Sequence, residues 1–276
     1  MSLDQQFEDQ EESSMSFLDH LEILRWHLIR ITIALFLFSF IAFVFKSIVF
    51  DQLVLAPTFD SFITYQLFCQ FSYFLGLGKK LCFDSMSFNL INITMAGQFT
   101  MHLIVSIVMG IIVAFPYILF ELWRFIKPAL AKSEKNYAKG IVFWGSLLFA
   151  LGVAFGYYLI TPLSVQFLGG YRVSDMVTNQ ISLRSYVTTI TTITLACGVI
   201  FQLPILVYFL SKLGLITPKL MKTYRRHAVI AVLLLSAIIT PPDVSSQILV
   251  ALPLLVLYEI SIWISKMVYK RDEERE

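Results

Sequence analysis

Four polar side chains stand within or beside long apolar runs: Gln202, Asp243, Gln247 and Glu259. A carboxylate near the centre of a bilayer costs about 2.5–3.5 kcal/mol on insertion scales, so such groups face protein or water and mark pathways, docking faces or interhelical hydrogen bonds. Glu259 follows Gln247 by twelve residues and precedes Lys266 by seven, so its short side chain is expected to stay within the hydrocarbon. It either carries a function there or hydrogen-bonds a neighbouring helix and fixes packing. Asp243 comes straight after Pro241 and Pro242, in a tight outer turn where an Asp caps the next helix by accepting backbone N–H groups. Gln202 lies two residues before Pro204, close to the run TTITTIT from Thr188 to Thr194. Threonines in a helix bond their own backbone, so that run by itself says little.

Catalytic chemistry finds no support. The sequence holds no HExxH, no GxSxG, no paired intramembrane Asp and no GxxxxGK[ST], the arrangements that bind zinc, expose a nucleophile or cradle phosphate. His20, His27, His102 and His227 are scattered, and no cysteine pair has metal spacing. The chain is expected not to be an enzyme and to need no metal or cofactor. Cys69 and Cys82 both fall in the first outer loop and form either a disulfide or two free thiols. Cys197 sits alone in an apolar run, as a small packing residue does.

The elements that position these groups are membrane helices. Hydrophobic residues make up 57% of the chain and charged ones 14%, with a mean hydropathy of +0.75, values outside the soluble range. Apolar runs long enough to cross about 30 Å of hydrocarbon cover roughly Leu28–Phe45, Phe99–Phe120, Ile141–Ile160 and Tyr186–Leu210. Two shorter runs, about Ala228–Ile239 and Ile248–Ile264, follow. The expectation is an all-α polytopic membrane protein whose six spans form a curved, concave bundle, the last two being short, about 18 and 25 Å at the helical rise. Lipid beside such a hairpin thins or water enters, which suits the passage or docking of something large. Continuous apolar blocks do not show the alternation of a lipid-facing barrel.

Basic residues resist translocation, and of the 21 lysines and arginines only Lys46, Lys79, Lys80, Arg172 and Arg184 fall in the segments opposite the N-terminal side. Both termini are therefore expected in the cytoplasm. The expected organisation is an N-terminal tail over 1–27, a membrane domain over 28–265 and a C-terminal tail over 266–276. An outer loop at about 47–98 and inner loops at about 121–140 and 211–227 connect the spans. The first sixteen residues are polar and acidic, which predicts no cleavable signal peptide. The formal net charge of +2 gives no reason to invoke nucleic acid.

The outer loop, rich in Phe and Tyr, is expected to be a folded cap of short interfacial helices, its rings anchored in the headgroup zone, with Pro57 marking a bend. Gly152 and Gly156, four apart, admit close helix approach. Pro116, Pro204 and Pro253 each free a backbone carbonyl and are expected to bend their spans.

The segments HLEILRWHLIR from His20, PYILFELWRFIKPALAKSEK from Pro116, FGYYLITPL, FQLPI, ITPPDVSSQ and YEIS resemble the TatC family, the multispanning subunits of twin-arginine protein translocases. The motifs run in order over nearly the whole chain. The resemblance implies a receptor in the bacterial inner (plasma) membrane that binds signal peptides with paired arginines and works with small single-span partners of the TatA and TatB type. Self-association and use of the proton-motive force to export folded proteins are implied as well. Motif matching assigns arginine recognition to Glu134, with Phe125 and Pro128 shaping the loop; taken alone, Glu134 is a solvated charge among lysines. A carboxylate suits the task, because guanidinium donates two parallel hydrogen bonds in a fork that lysine cannot copy.

Two departures stand out. The family pattern His-Leu-x-Glu-Leu-Arg reads here His20, Leu21, Glu22, Ile23, Leu24, Arg25, so Arg25 matches but Ile23 fills the glutamate slot. Glu22 is the substitute, turned by about 100° on a helix. Gln202 stands where many relatives carry a glutamate, and an amide cannot titrate. Asp243, Gln247 and Glu259 do match, in a hairpin that the resemblance associates with docking of partner helices. The rival expectation is a secondary transporter for a small solute with Glu259 as coupling-ion site, which the lack of internal repeats and of broken helices disfavours.

Overall fold

The computed structural model describes residues 17–59, 61–74, 76, 78, 82, 89–126, 138–174, 176–177, 179–240 and 244–273. Its first helix, α1 (Phe17–Val44), leads through a π-helical segment at Ile48–Val54 and a single turn at Ala56–Thr58 to α2 (Ile63–Phe74). Then come β1 (Asn89–Ile91), α3 (Gly97–Ile126) and α4 (Ala138–Phe155), which continues through a π segment, Gly156–Ile160, into α5 (Thr161–Gly170). β2 (Gln180–Ser182), α6 (Leu183–Ile200), α7 (Leu203–Lys212), α8 (Pro218–Thr223), α9 (Arg225–Ile239) and α10 (Val244–Glu273) complete the chain.

Among the described residues five stretches are long and apolar enough to cross a bilayer: Leu21–Val44, Gly97–Ile126, Gly140–Gly170, Leu183–Lys212 and Gln247–Lys270. α9 has 15 residues, about 22 Å at the helical rise, and is short as expected. The last helix is not. α10 runs for 30 residues, because the charged residues after Ile264 are good helix formers and carry the rod on past the apolar stretch. Pro253 lies inside α10, and Pro116 inside α3, without ending either helix.

Three further boundaries differ from the sequence reading. α1 starts at Phe17, so Glu22 and Arg25 stand on the same continuous helix as the first apolar run. α3 ends at Ile126, which makes Glu121 and Phe125 helical rather than part of the inner loop. The fourth span breaks at Phe201 and Gln202 into α6 and α7, because Pro204 cannot donate to the carbonyl one turn back. Pro162 acts similarly in the third span. The Tyr158 carbonyl it leaves free accepts the Thr64 hydroxyl of α2, and the backbone widens into the π segment there.

Helix packing follows the small residues. A Cβ at Gly152 would lie 2.6 Å from the Cys197 carbonyl and one at Gly156 would lie 3.0 Å from Thr194 Cα, so α4 and α6 touch backbone to backbone, the packing role read from their spacing. Gly110 of α3 meets Ser39 of α1 as closely. One core cluster joins α6, α9 and α10 through Ile193, Val232, Val250 and Leu254. Another joins α3, α6 and the first π segment through Met101, Val105, Val187 and Val54. On α1 most large apolar residues, Ile33, Phe36 and Phe40 among them, stay exposed, as lipid-facing side chains do.

The outer loop does contain short helices, and a parallel pairing of β1 with β2, Leu90 opposite Ile181, ties it to the second outer connection. Its aromatics divide. Phe59, Tyr73 and Phe74 are exposed, whereas Phe62 and Tyr65 are buried, Phe62 stacking on Tyr158 at 5.8 Å. Those two therefore hold the cap on the bundle and do not anchor it in the headgroups.

Candidate functional site

Near the N-terminal end of α1 and the C-terminal end of α3 a carboxylate is buried among three polar partners. Glu121 is 2% exposed and His27 is 7% exposed; the His27 ring nitrogen Nδ1 meets Glu121 Oε2 in a short hydrogen bond. Tyr117, one turn earlier on α3, donates its hydroxyl to Oε1 at 3.0 Å. Arg30, three residues after His27 on the same face of α1, has a guanidinium nitrogen 4.0 Å from Oε2. Spacings of three and four put each pair on one helix face. In a medium without water such a carboxylate persists because its charge is matched and its lone pairs are filled.

This cluster brings two family-motif stretches together. The ring of Phe125 lies edge-on to His27, with centroids 6.1 Å apart, so the last turn of α3 rests against the helix that carries Glu22 and Arg25. Both Glu22 and Arg25 are exposed, and neither has an ion pair or hydrogen bond to another described residue. Ile23 is half-buried on the face of α1 that also presents His27. Glu134 and Pro128 lie outside the described residues. His27 and Glu121 were missed in the sequence; the signal was their i, i+3 and i, i+4 company with Arg30 and Tyr117 at the same inner level of two successive spans.

The hairpin of α9 and α10 uses its polar residues internally. Glu259 Oε1 accepts from Arg225 Nε at 2.6 Å and lies 2.5 Å from its Nη2. The Glu259 side chain is 46% exposed, and its bond to Arg225 of the neighbouring helix is the second of the two alternatives read from the sequence. Because α9 is short, its first residue, Arg225, stands level with Glu259. Gln247 donates Nε2 to the Leu233 carbonyl at 3.1 Å, bridging the hairpin toward its other end. Asp243 lies outside the described residues. Gln202, at the break in the fourth span, donates to the Gly145 carbonyl of α4 at 3.1 Å.

In the connection between the first two spans Cys69 and Cys82 are joined as a disulfide. Pro57 is buried in the single turn after the π segment, and three tyrosines take up carbonyls of this region. Tyr65 donates to Pro57 at 2.9 Å, Tyr157 to Leu53 at 2.6 Å and Tyr186 to Val54 at 2.8 Å. Below them an apolar cavity of about 320 Å³ opens between α3, α4 and α6, lined by Met109, Pro116, Phe149, Val153 and Thr194. Thr191 bonds its own helix at the Val187 carbonyl, as the threonine run predicted, but the buried Thr194 hydroxyl has no partner among the described residues. Among the described residues no three His, Cys, Asp or Glu side chains gather as metal ligands.

Long apolar helices, bent at prolines and knit by buried polar contacts, define a polytopic helical membrane protein. The chain belongs to the TatC family: residues 19–253 match the model of the Sec-independent protein translocase protein TatC. It is 37% identical over 262 residues to the Sec-independent protein translocase protein TatC of Blattabacterium sp. subsp. Periplaneta americana (strain BPLAN), covering 95% of this chain and 98% of that one. The TatC of Aquifex aeolicus (strain VF5) is 33% identical over 261 residues, with 94% and 98% covered. Among solved structures it is similar to a twin arginine translocase receptor, TatC, with a TM-score of 0.70 and 33% identity over 91% of this chain and 99% of that one. The protein is thus a component of the Sec-independent translocase, a non-enzymatic transport subunit.

Proposed function

We propose that this protein is the receptor subunit of a twin-arginine translocase in a bacterial plasma membrane, with both termini cytoplasmic. Paired arginines of a signal peptide are held by Glu134 on the inner loop, with Glu22 and Arg25 of α1 flanking them and Phe125 and Pro128 shaping the loop. The hairpin with Asp243, Gln247 and Glu259, together with Gln202, receives small single-span partners of the TatA and TatB type, copies of the receptor associate, and the proton-motive force drives export of folded cargo.

One observation carries the reading: His27 binds Glu121 and touches Phe125. This contact fixes the helix bearing Glu22 and Arg25 against the last turn of α3, nine residues before Glu134 in the sequence. A bidentate Arg–carboxylate contact needs that kind of fixed geometry. The decisive experiment is site-specific crosslinking of a twin-arginine peptide in membranes: Glu134→Ala should weaken the crosslink while the receptor still inserts. An unchanged crosslink would reject Glu134 as the recognition residue.

A small-solute transporter gains support from the broken fourth span at Gln202. It loses its ion site, because Glu259 is already neutralised by Arg225. Solute uptake by vesicles holding the purified protein alone would revive it.

A further inference from the structure

At the outer end of α1 a second cavity, about 440 Å³, brings together two charges of opposite sign, Lys46 and Asp51, with Gln98, His102, Phe50 and Phe99. We infer that this cavity is a binding site for one zwitterionic phospholipid bearing a primary ammonium, its phosphate on Lys46 and its ammonium on Asp51.

Depth is the first argument. The first span ends at Val44 and the second begins at Gly97, so Lys46 and Gln98 stand at the level where hydrocarbon gives way to headgroups. Exposed Phe45, Ile48 and Phe99 surround the opening and offer acyl chains a wall. The second argument is charge. Lys46 and Asp51 are both exposed, and neither has an ion pair or hydrogen bond to another described residue. Lysine beside an outer span end also runs against the inward bias of basic residues in this chain, so its position there calls for a local anion.

The floor of the cavity selects further. His102 Nε2 is 3.0 Å from the Phe43 carbonyl, which can only accept, so that nitrogen carries a hydrogen and is taken up by the backbone. The ring is stacked on Phe43 at 4.0 Å and meets Phe50 edge-on at 5.7 Å. Lys46 supplies a cationic charge to this lining and Asp51 the anionic one. Phosphatidylglycerol would satisfy Lys46 and offer Asp51 no cation. Phosphatidylcholine would bring a cation with no N–H to donate. Phosphatidylethanolamine supplies both a phosphate and an N–H-bearing ammonium.

The test uses the full chain reconstituted in nanodiscs holding equal amounts of phosphatidylethanolamine, phosphatidylglycerol and phosphatidylcholine, followed by native mass spectrometry of the lipid kept on release. Wild type should retain phosphatidylethanolamine over each of the others by about fivefold, the ratio expected of one partly exposed ion pair. Asp51→Asn should abolish the preference over phosphatidylcholine, and Lys46→Gln should lower retention of all three. Equal retention by wild type, or a preference for phosphatidylglycerol, overturns the proposal. So does an unchanged preference in the double variant, or full displacement of the lipid by millimolar free O-phosphoethanolamine, which would indicate a soluble ligand. The wild-type comparison needs no variant to fold.

Discussion

His27 on α1 and Glu121 on α3, 94 residues apart in sequence, meet in a short hydrogen bond with neither residue more than 7% exposed. Breaking one side of a buried hydrogen-bonded pair that includes a carboxylate costs more than removing both, because the survivor keeps its desolvation penalty. His27→Ala is expected to lower stability by about 3 kcal/mol, leaving Glu121 to Tyr117 and a guanidinium nitrogen 4.0 Å away. The double variant His27→Ala with Glu121→Leu should lose less than the two singles summed. Thermal unfolding in detergent, analysed as a double-mutant cycle, decides it; strict additivity would mean the two groups do not interact.

The same pair should matter for recognition at a distance. If the contact fixes the register of α1 against the inner loop, Glu121→Leu will weaken a twin-arginine peptide crosslink formed at Glu134, and Glu121→Gln, which keeps the hydrogen-bonding shape, will retain most of it. A crosslink indifferent to Glu121→Leu in folded protein would confine the cluster to stability.

Membrane character, the full-length spans and the short fifth helix were legible because apolar length is a one-dimensional property of sequence. So was the glycine face of the third span, since a spacing of four survives into any helix. The family was readable from motifs alone. The fate of Glu259 was not, because it depends on which residue of another helix arrives at its level, and Arg225 sits in a basic stretch that reads as an inner loop. Composition marks every ring of the outer loop alike as an interfacial anchor; only the fold of the cap decides that Phe62 and Tyr65 turn inward. Glu121 was hidden within a motif, its burial set by His27 on a different span.

Gly152 offers a packing test. A methyl group there meets the Cys197 carbonyl at 2.6 Å and Phe201 Cβ at 2.8 Å, backbone and branch-point atoms that cannot rotate away. Gly152→Ala should therefore cost about 1–3 kcal/mol. Gly140→Ala, with nothing within 4 Å of the new Cβ, should be neutral or slightly stabilising through helix propensity. Equal midpoints for the two variants in thermal unfolding would mean α4 and α6 are further apart than described.

The Arg225–Glu259 pair is half-exposed, and pairs of that kind contribute less than about 1 kcal/mol. Its importance is expected in assembly and not in folding. Glu259→Ala and Arg225→Ala should each leave the unfolding midpoint within experimental scatter yet reduce co-purification of a small single-span partner. The swap Arg225→Glu with Glu259→Arg should restore part of it, because the hairpin is again clasped at its inner end. Loss of partner with Glu259→Ala but not with Arg225→Ala would assign Glu259 a direct contact with the partner instead.

Tyr186 tests the outer cap. Its ring is 3% exposed and its hydroxyl is the donor to the Val54 carbonyl at 2.8 Å, in a π-helical segment where regular backbone pairing is disturbed. Tyr186→Phe keeps the ring and removes the donor, so the carbonyl is left buried without that partner, at a cost of about 1–3 kcal/mol. Tyr171→Phe removes a hydroxyl from a residue that is 63% exposed and should stay within about 0.5 kcal/mol of wild type. Hydrogen exchange resolved to the segment Ile48–Val54 reads the consequence directly. Faster exchange there in Tyr186→Phe, with α10 unchanged, is the expected outcome, whereas uniform acceleration along the chain would mean that Tyr186 stabilises the whole bundle and not this cap.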